Sequence, residues 1–122
     1  MALAQHHGEV EQLALTGDGR VVTGGRDGRV YCARLEGGEP VALAHHDGEV
    51  RHFVLTGDGR LVSSGADAAL FVIDLSGAKR CRVFVSDLGL TRIAYDPAHR
   101  VIVAGDASGS LHILPIADAD PS

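Results

Sequence analysis

An all-β chain of three consecutive four-stranded antiparallel sheets is the fold class the sequence predicts, and three observations carry it. A unit of about forty residues recurs: H-H-G-E-V-E-Q-L-A-L-T-G-D-G-R-V-V-T-G-G-R-D-G from His6 returns as H-D-G-E-V-R-H-F-V-L-T-G-D-G-R-L-V-S-S-G-A-D-A from His46, with Val10 and Val50 standing 40 positions apart. Asp27 and Asp67 keep the same interval. Turn chemistry falls at equal places in each unit, because Thr16-Gly17-Asp18-Gly19 and Thr56-Gly57-Asp58-Gly59 separate apolar runs and Asp-Gly supplies the positive φ a tight hairpin needs. No segment reads as a helix of useful length.

A third, more diverged copy starts at Ser86, with Leu90 and Arg100 at the same interval and one extra residue placed near Ala107. Asp96-Pro97-Ala98-His99 fills its turn, Pro fixing φ near about −65°. Units of this length match propeller blades of four strands each. The first strands are read at Val10 to Leu15, Val50 to Leu55 and Leu90 to Tyr95. Second strands follow at Arg20 to Gly24, Arg60 to Ser64 and Arg100 to Ala104, and third strands at Arg29 to Arg34, Ala69 to Asp74 and Ser110 to Leu114. Outer strands are Val41 to Ala44, Cys81 to Val85 and, at the N-terminus, Ala2 to Ala4. The domain reading is an arc over 1–116, with repeats at 6–45, 46–85 and 86–116 and a disordered tail at 117–122.

Bulk composition narrows the function. The 122 residues are 45% hydrophobic, enough for a packed core, and 16 acidic against 11 basic residues give a net charge of −5. Such a field repels nucleic acid and anionic lipid. No apolar run is long enough to span a bilayer as a helix, and M-A-L-A-Q-H-H lacks the basic start of a signal peptide, so a cytoplasmic location is expected. Two cysteines, Cys32 and Cys81, fall in strands of different units and are expected to be buried, inert thiols and not a bridge. High Ala, Gly and Arg usage points to a GC-rich bacterial source.

The residues resemble the WD-repeat family. His6 and His46 stand four residues before Val10 and Val50, where that family has its Gly-His histidine, and Thr23-Gly24-Gly25-Arg26-Asp27 and Ser63-Ser64-Gly65-Ala66-Asp67 look like its Ser-Gly-Ser-x-Asp turn. The likeness implies a buried network in each blade, His6 with Thr23 and Asp27, and His46 with Ser63 and Asp67. It departs at the tryptophans, which the chain lacks; Ala33, Ile73 and Leu114 hold those places. In the third unit Ser86 and Val103 replace the histidine and the hydroxyl residue, so no such network is expected there.

Three blades leave a ring open, since rings close at about four to eight. The start, Ala2-Leu3-Ala4-Gln5-His6, matches the outer strand V-A-L-A-H-H from Val41, whereas no outer strand follows Leu114. The expectation is that Ala2, Leu3 and Ala4 of one chain latch the last blade of another, giving a head-to-tail homo-oligomer, most simply a dimer. A fragment or subunit of a larger WD-repeat regulatory protein is the alternative.

Candidate chemistry is sparse. His6-His7 and His45-His46 lack further ligands at metal spacing, so neither metal nor cofactor is expected. The Gly-Asp-Gly turns have no following helix and no P-loop lysine. No nucleophile motif occurs, and the expectation is a non-enzyme without catalytic residues, a propeller enzyme with its site in the central channel being the lesser alternative. The family resemblance implies a protein or peptide partner of unknown identity, met by the loops carrying His7, Glu9, Arg26, His45, Asp47, Glu49 and Ala66.

Overall fold

The computed structural model describes residues 5–76, 79–84 and 89–116. Among them the chain forms eleven strands: β1 (Val10–Leu15), β2 (Arg20–Gly25), β3 (Arg29–Arg34), β4 (Val41–His45), β5 (Val50–Leu55), β6 (Arg60–Gly65), β7 (Ala69–Asp74), β8 (Lys79–Phe84), β9 (Leu90–Asp96), β10 (Val101–Asp106) and β11 (Leu111–Pro115). They build three antiparallel sheets in chain order, β1-β2-β3-β4, β5-β6-β7-β8 and β9-β10-β11. Each expected strand within the described residues is present, its ends within two residues of the sequence reading. The expected strand Ala2 to Ala4 and the expected tail at 117–122 lie outside the described residues, as do Val85 and Ser86.

The first hairpin of each unit shows how turn chemistry sets register. In the first two, positive φ falls on the glycines flanking the aspartate, 85° and 90° at Gly17 and Gly19, and 87° and 91° at Gly57 and Gly59. The aspartate itself does other work: Asp18 Oδ2 accepts from Arg20 Nη2 at 2.6 Å and Asp58 Oδ2 from Arg60 Nη2 at 2.6 Å, each also taking the hydroxyl of Thr16 or Thr56. These bonds hold the Asp18 carboxyl well below the usual range and Asp58 at about 2.

The third hairpin corrects the sequence reading. Leu15 opposes Val21 and Leu55 opposes Leu61, but Tyr95 opposes Ile102, so the extra residue enters the turn at 97–100 and not near Ala107. Without paired glycines the chain needs one more residue to come round, and Arg100 takes the left-handed φ of 54°. Arg100 therefore belongs to the turn, and Ala104, not Val103, stands in the place of Thr23 and Ser63.

Side-chain alternation then makes two apolar seams. Val22, Val30, Cys32 and Leu43 of the first sheet meet Val50, Phe53, Leu61, Phe71 and Ile73 of the second. The other face of the second sheet presents Val62, Leu70 and Val72 to Leu90, Ile93, Ile102 and Ala104 of the third. The middle sheet is thus covered on both sides, and its β7 reads as a nearly continuous apolar run, A-L-F-V-I-D. Gly24 is needed at the first seam, since a Cβ there would lie 2.6 Å from Val50 Cγ1 and 2.7 Å from Phe53 Cζ. Cys32 is buried, which pushes its thiol pKa up, and Cys81 is half-buried; both are free.

The outer faces of the first and third sheets are uncovered. Val10 is 51% exposed where its counterpart Val50 is 0%, and Leu13 is 64% where Phe53 is 8%. On the third sheet Leu111 and Ile113 are 75% and 71% exposed, whereas Leu70 and Val72 are both 0%. The same side-chain places are core inside the stack and surface at its ends.

Candidate functional site

Two polar networks sit where strand ends and turns converge. His6 Nδ1 lies 3.0 Å from Asp27 Oδ1 and Nε2 lies 2.9 Å from Thr23 Oγ1; His46 repeats this with Asp67 at 3.0 Å and Ser63 at 2.9 Å. A carboxylate only accepts, so Nδ1 donates to it, and Nε2 is left to pair with the hydroxyl. The carboxylates also take backbone amides, Asp27 from His7 at 2.8 Å and Arg29 at 3.0 Å, Asp67 from Asp47 at 2.9 Å. Burial pushes the Asp27 carboxyl up, but the His6 ring and the amides of His7 and Arg29 outweigh it and hold it at about 2; Asp67 is lowered in the same way.

Glycine makes room for each ring. A Cβ on Gly25 would lie 2.4 Å from His6 Nδ1, and one on Gly65 would lie 2.7 Å from His46 Nδ1. An aromatic edge closes the other side, Tyr31 at 5.0 Å and Phe71 at 4.8 Å between ring centroids. Ser63, His46 and Asp67 have the connectivity of a hydrolase triad. Their burial decides against that chemistry: Ser63 is 0% exposed and both ring nitrogens are committed, so no substrate reaches the hydroxyl.

The third sheet carries a different network that the sequence reading missed. Asp106 takes the place of Gly25 and Gly65, opposite Leu90, and accepts from the Ser108 amide at 2.9 Å, the Ser108 hydroxyl at 2.6 Å and the Ser110 amide at 3.1 Å. His112 stands where Tyr31 and Phe71 stand, its Nε2 2.8 Å from Asp106 Oδ2. The one-residue offset at the 97–100 turn hid this equivalence.

The loop residues singled out from sequence lie at one end of the sheets. Arg26 N–H donates to the Glu9 carbonyl at 2.9 Å and Ala66 N–H to the Glu49 carbonyl at 3.0 Å, tying each second hairpin to the segment before the first strand. His7, Glu9, Arg26, His45 and Asp47 are exposed, while Glu49 and Ala66 are half-buried. Arg26 Nε lies 3.3 Å from Glu11 and 3.8 Å from Glu49, and Arg51 Nε lies 3.4 Å from Glu49. A depression of about 270 Å³ opens beside them, lined by Glu11, Gln12, Glu49, Arg51, Thr91 and Arg92. Glu11 and Arg51 occupy β-bulges between Val10 and Gln12 and between Val50 and His52, which turn them out of the alternation; no local sequence signal marks them. The surface is mixed in charge.

Among the described residues no group of three or more His, Cys, Asp or Glu side chains converges as a metal site requires, and no helix is long and apolar enough to cross a membrane. Two buried polar atoms lack a partner there, His52 Nδ1 and Ser64 Oγ, on cross-strand neighbours at the second seam.

No protein-family model matches the chain, and no curated protein matches it. Among solved structures it is similar to the computationally designed Ika8 protein, with a TM-score of 0.78 and 22% identity over 99% of this chain. The chain spans 40% of the length of that protein. The likeness is one of fold, an all-β arrangement of repeated antiparallel sheets.

Proposed function

We propose that the three sheets are consecutive blades of a WD-type β-propeller arc, and that the chain is a non-enzymatic, cytoplasmic scaffold for protein–protein interaction that closes its ring head to tail with copies of itself. The observation that carries the reading is the pair of uncovered end faces, whose side chains hold the places of core residues inside the stack. Exposed apolar patches of this kind mark interaction surfaces. The histidine networks support it by tying the turn ends of the first two sheets, with the Ser63 hydroxyl buried and bonded to His46. A partner protein or peptide then meets the loop end around Arg26, Glu49 and Arg51.

Light scattering on the purified chain tests the assembly: a dimer of six blades has twice the 12.7 kDa of one copy. A stable species at 12.7 kDa rejects self-assembly. The open edge of β11, which pairs only with β10 among the described residues, is the place for a fourth strand, and the sequence of 2–4 resembles β4.

One observation favours a second reading, that the arc is part of a larger propeller: the chain matches only 40% of the Ika8 chain. On that reading the remaining blades come from another stretch of polypeptide. A 12.7 kDa monomer that gains stability when further repeats are fused to it selects this alternative.

A further inference from the structure

We infer the register of the contact between copies: Gly105 of one copy receives Val10 and Leu13 of the next, with Leu111 and Ile113 packed over the same face. The inference rests on the self-assembly proposed above and adds which side chains meet.

The first seam supplies the template. There Val50 and Phe53 press onto the backbone of Gly24 so closely that any Cβ at that place would lie within 2.7 Å of both. Strand pairing makes Gly105 the counterpart of Gly24 in the third sheet, since Gly24 opposes Gln12 and Gly105 opposes Arg92 beside the same bulge. Val10 and Leu13 are the counterparts of Val50 and Phe53, 40 residues earlier. A Cβ at Gly105 would meet only its own sheet, Leu111 Cδ2 and Thr91 Oγ1 at 3.8 Å. The socket and its two knobs are therefore all present and all uncovered, at opposite ends of one chain. Leu13 is smaller than Phe53, so the socket accommodates it without clash.

The flanking places agree. Val103, Leu111 and Ile113 hold the positions of Val22, Val30 and Cys32, which are core at the first seam. One polar contact does not carry over. Arg20 Nη1 donates to the Leu75 carbonyl at 3.1 Å across the first seam, and Val101 stands in the place of Arg20, so the junction between copies is more apolar than the seam it imitates. A heterologous junction of this kind closes when the rotation per sheet permits.

Cysteine trapping reads the register. Val10→Cys and Gly105→Cys are made separately in a Cys81→Ser background, unfolded, refolded together and oxidised. A disulfide-linked dimer is expected in the mixture and in neither variant alone. Cross-linking of Val10→Cys with itself would mean that first sheets face each other, and would overturn the register. Absence of cross-links in every sample, with unmodified protein at twice 12.7 kDa, overturns the register and leaves self-assembly standing. Unmodified protein at 12.7 kDa overturns both. As a second readout, Gly105→Phe lies on an uncovered strand face and is expected to fold with an unchanged circular dichroism spectrum while its mass falls to that of one copy; retention of the assembled mass would count against the socket.

Discussion

His112 Nε2 lies 2.8 Å from Asp106 Oδ2, and this pair fills in the third sheet the places held by an aromatic ring and a glycine in the first two. The carboxylate has moved from the turn into the end of the second strand, and the imidazole has moved from the outer segment into the third strand. Asp106→Ala removes the acceptor of both serine amides and the Ser108 hydroxyl as well. The expected cost is about 2 kcal/mol, read as a lowered urea midpoint with unchanged slope.

His46→Ala leaves Ser63 and Asp67 buried without their ring partner, and it opens a hole beside Phe71. A loss of about 3 kcal/mol is expected. Combined with Ser63→Ala, the total should fall short of the sum of the two single changes by about 0.5 kcal/mol or more, because both remove the same bond. Additive losses would show that the bond contributes nothing.

Gly65→Ala places a methyl 2.7 Å from the His46 ring. The ring must move off Asp67 or Ser63, and a destabilisation of more than about 2 kcal/mol is expected in chemical denaturation.

Ser64→Ala runs the other way. Its hydroxyl is buried without a partner, so its removal relieves a desolvation penalty of about 1 kcal/mol. For a chain of this size that corresponds to a rise in Tm of roughly 4 °C, which calorimetry can resolve.

Acid should unfold the protein in two stages. Burial and the charge of Arg92 hold His52 below its ordinary 6.5, so the unfolded chain binds that proton more readily and stability declines as pH falls below about 6.5. Asp27 and Asp58, held at about 2 against an ordinary 3.8, and Asp67, held below 3.8, contribute stability above pH 4 that is lost as pH falls toward 2. Urea midpoints measured between pH 2.5 and 8 should show both declines, and His52→Gln should abolish the first alone.

Most of the architecture was legible because its causes are local. Asp-Gly and Thr-Gly turns recur at fixed places between apolar runs, and strand ends followed from them within two residues. His6, Thr23 and Asp27 were grouped, as were His46, Ser63 and Asp67, through the resemblance to the WD-repeat family, and the repeat places the two sets 40 residues apart. The Asp106–His112 pair was hidden for a physical reason. A turn without glycines absorbs one more residue, and every position after it shifts by one against the template, so the aspartate was compared with the wrong neighbours. The bulged Glu11 and Arg51 were equally hidden, since backbone irregularity of that kind leaves no mark in residue type.

The two apolar seams share no residue, and the middle sheet alone belongs to both. Cooperativity in such a stack passes from neighbour to neighbour, so either terminal sheet can open at the cost of one seam, while opening β5 to β8 forfeits two. Amide exchange should therefore slow progressively from the ends toward β6 and β7, and a ligand that capped either end would stiffen sheets it never touches.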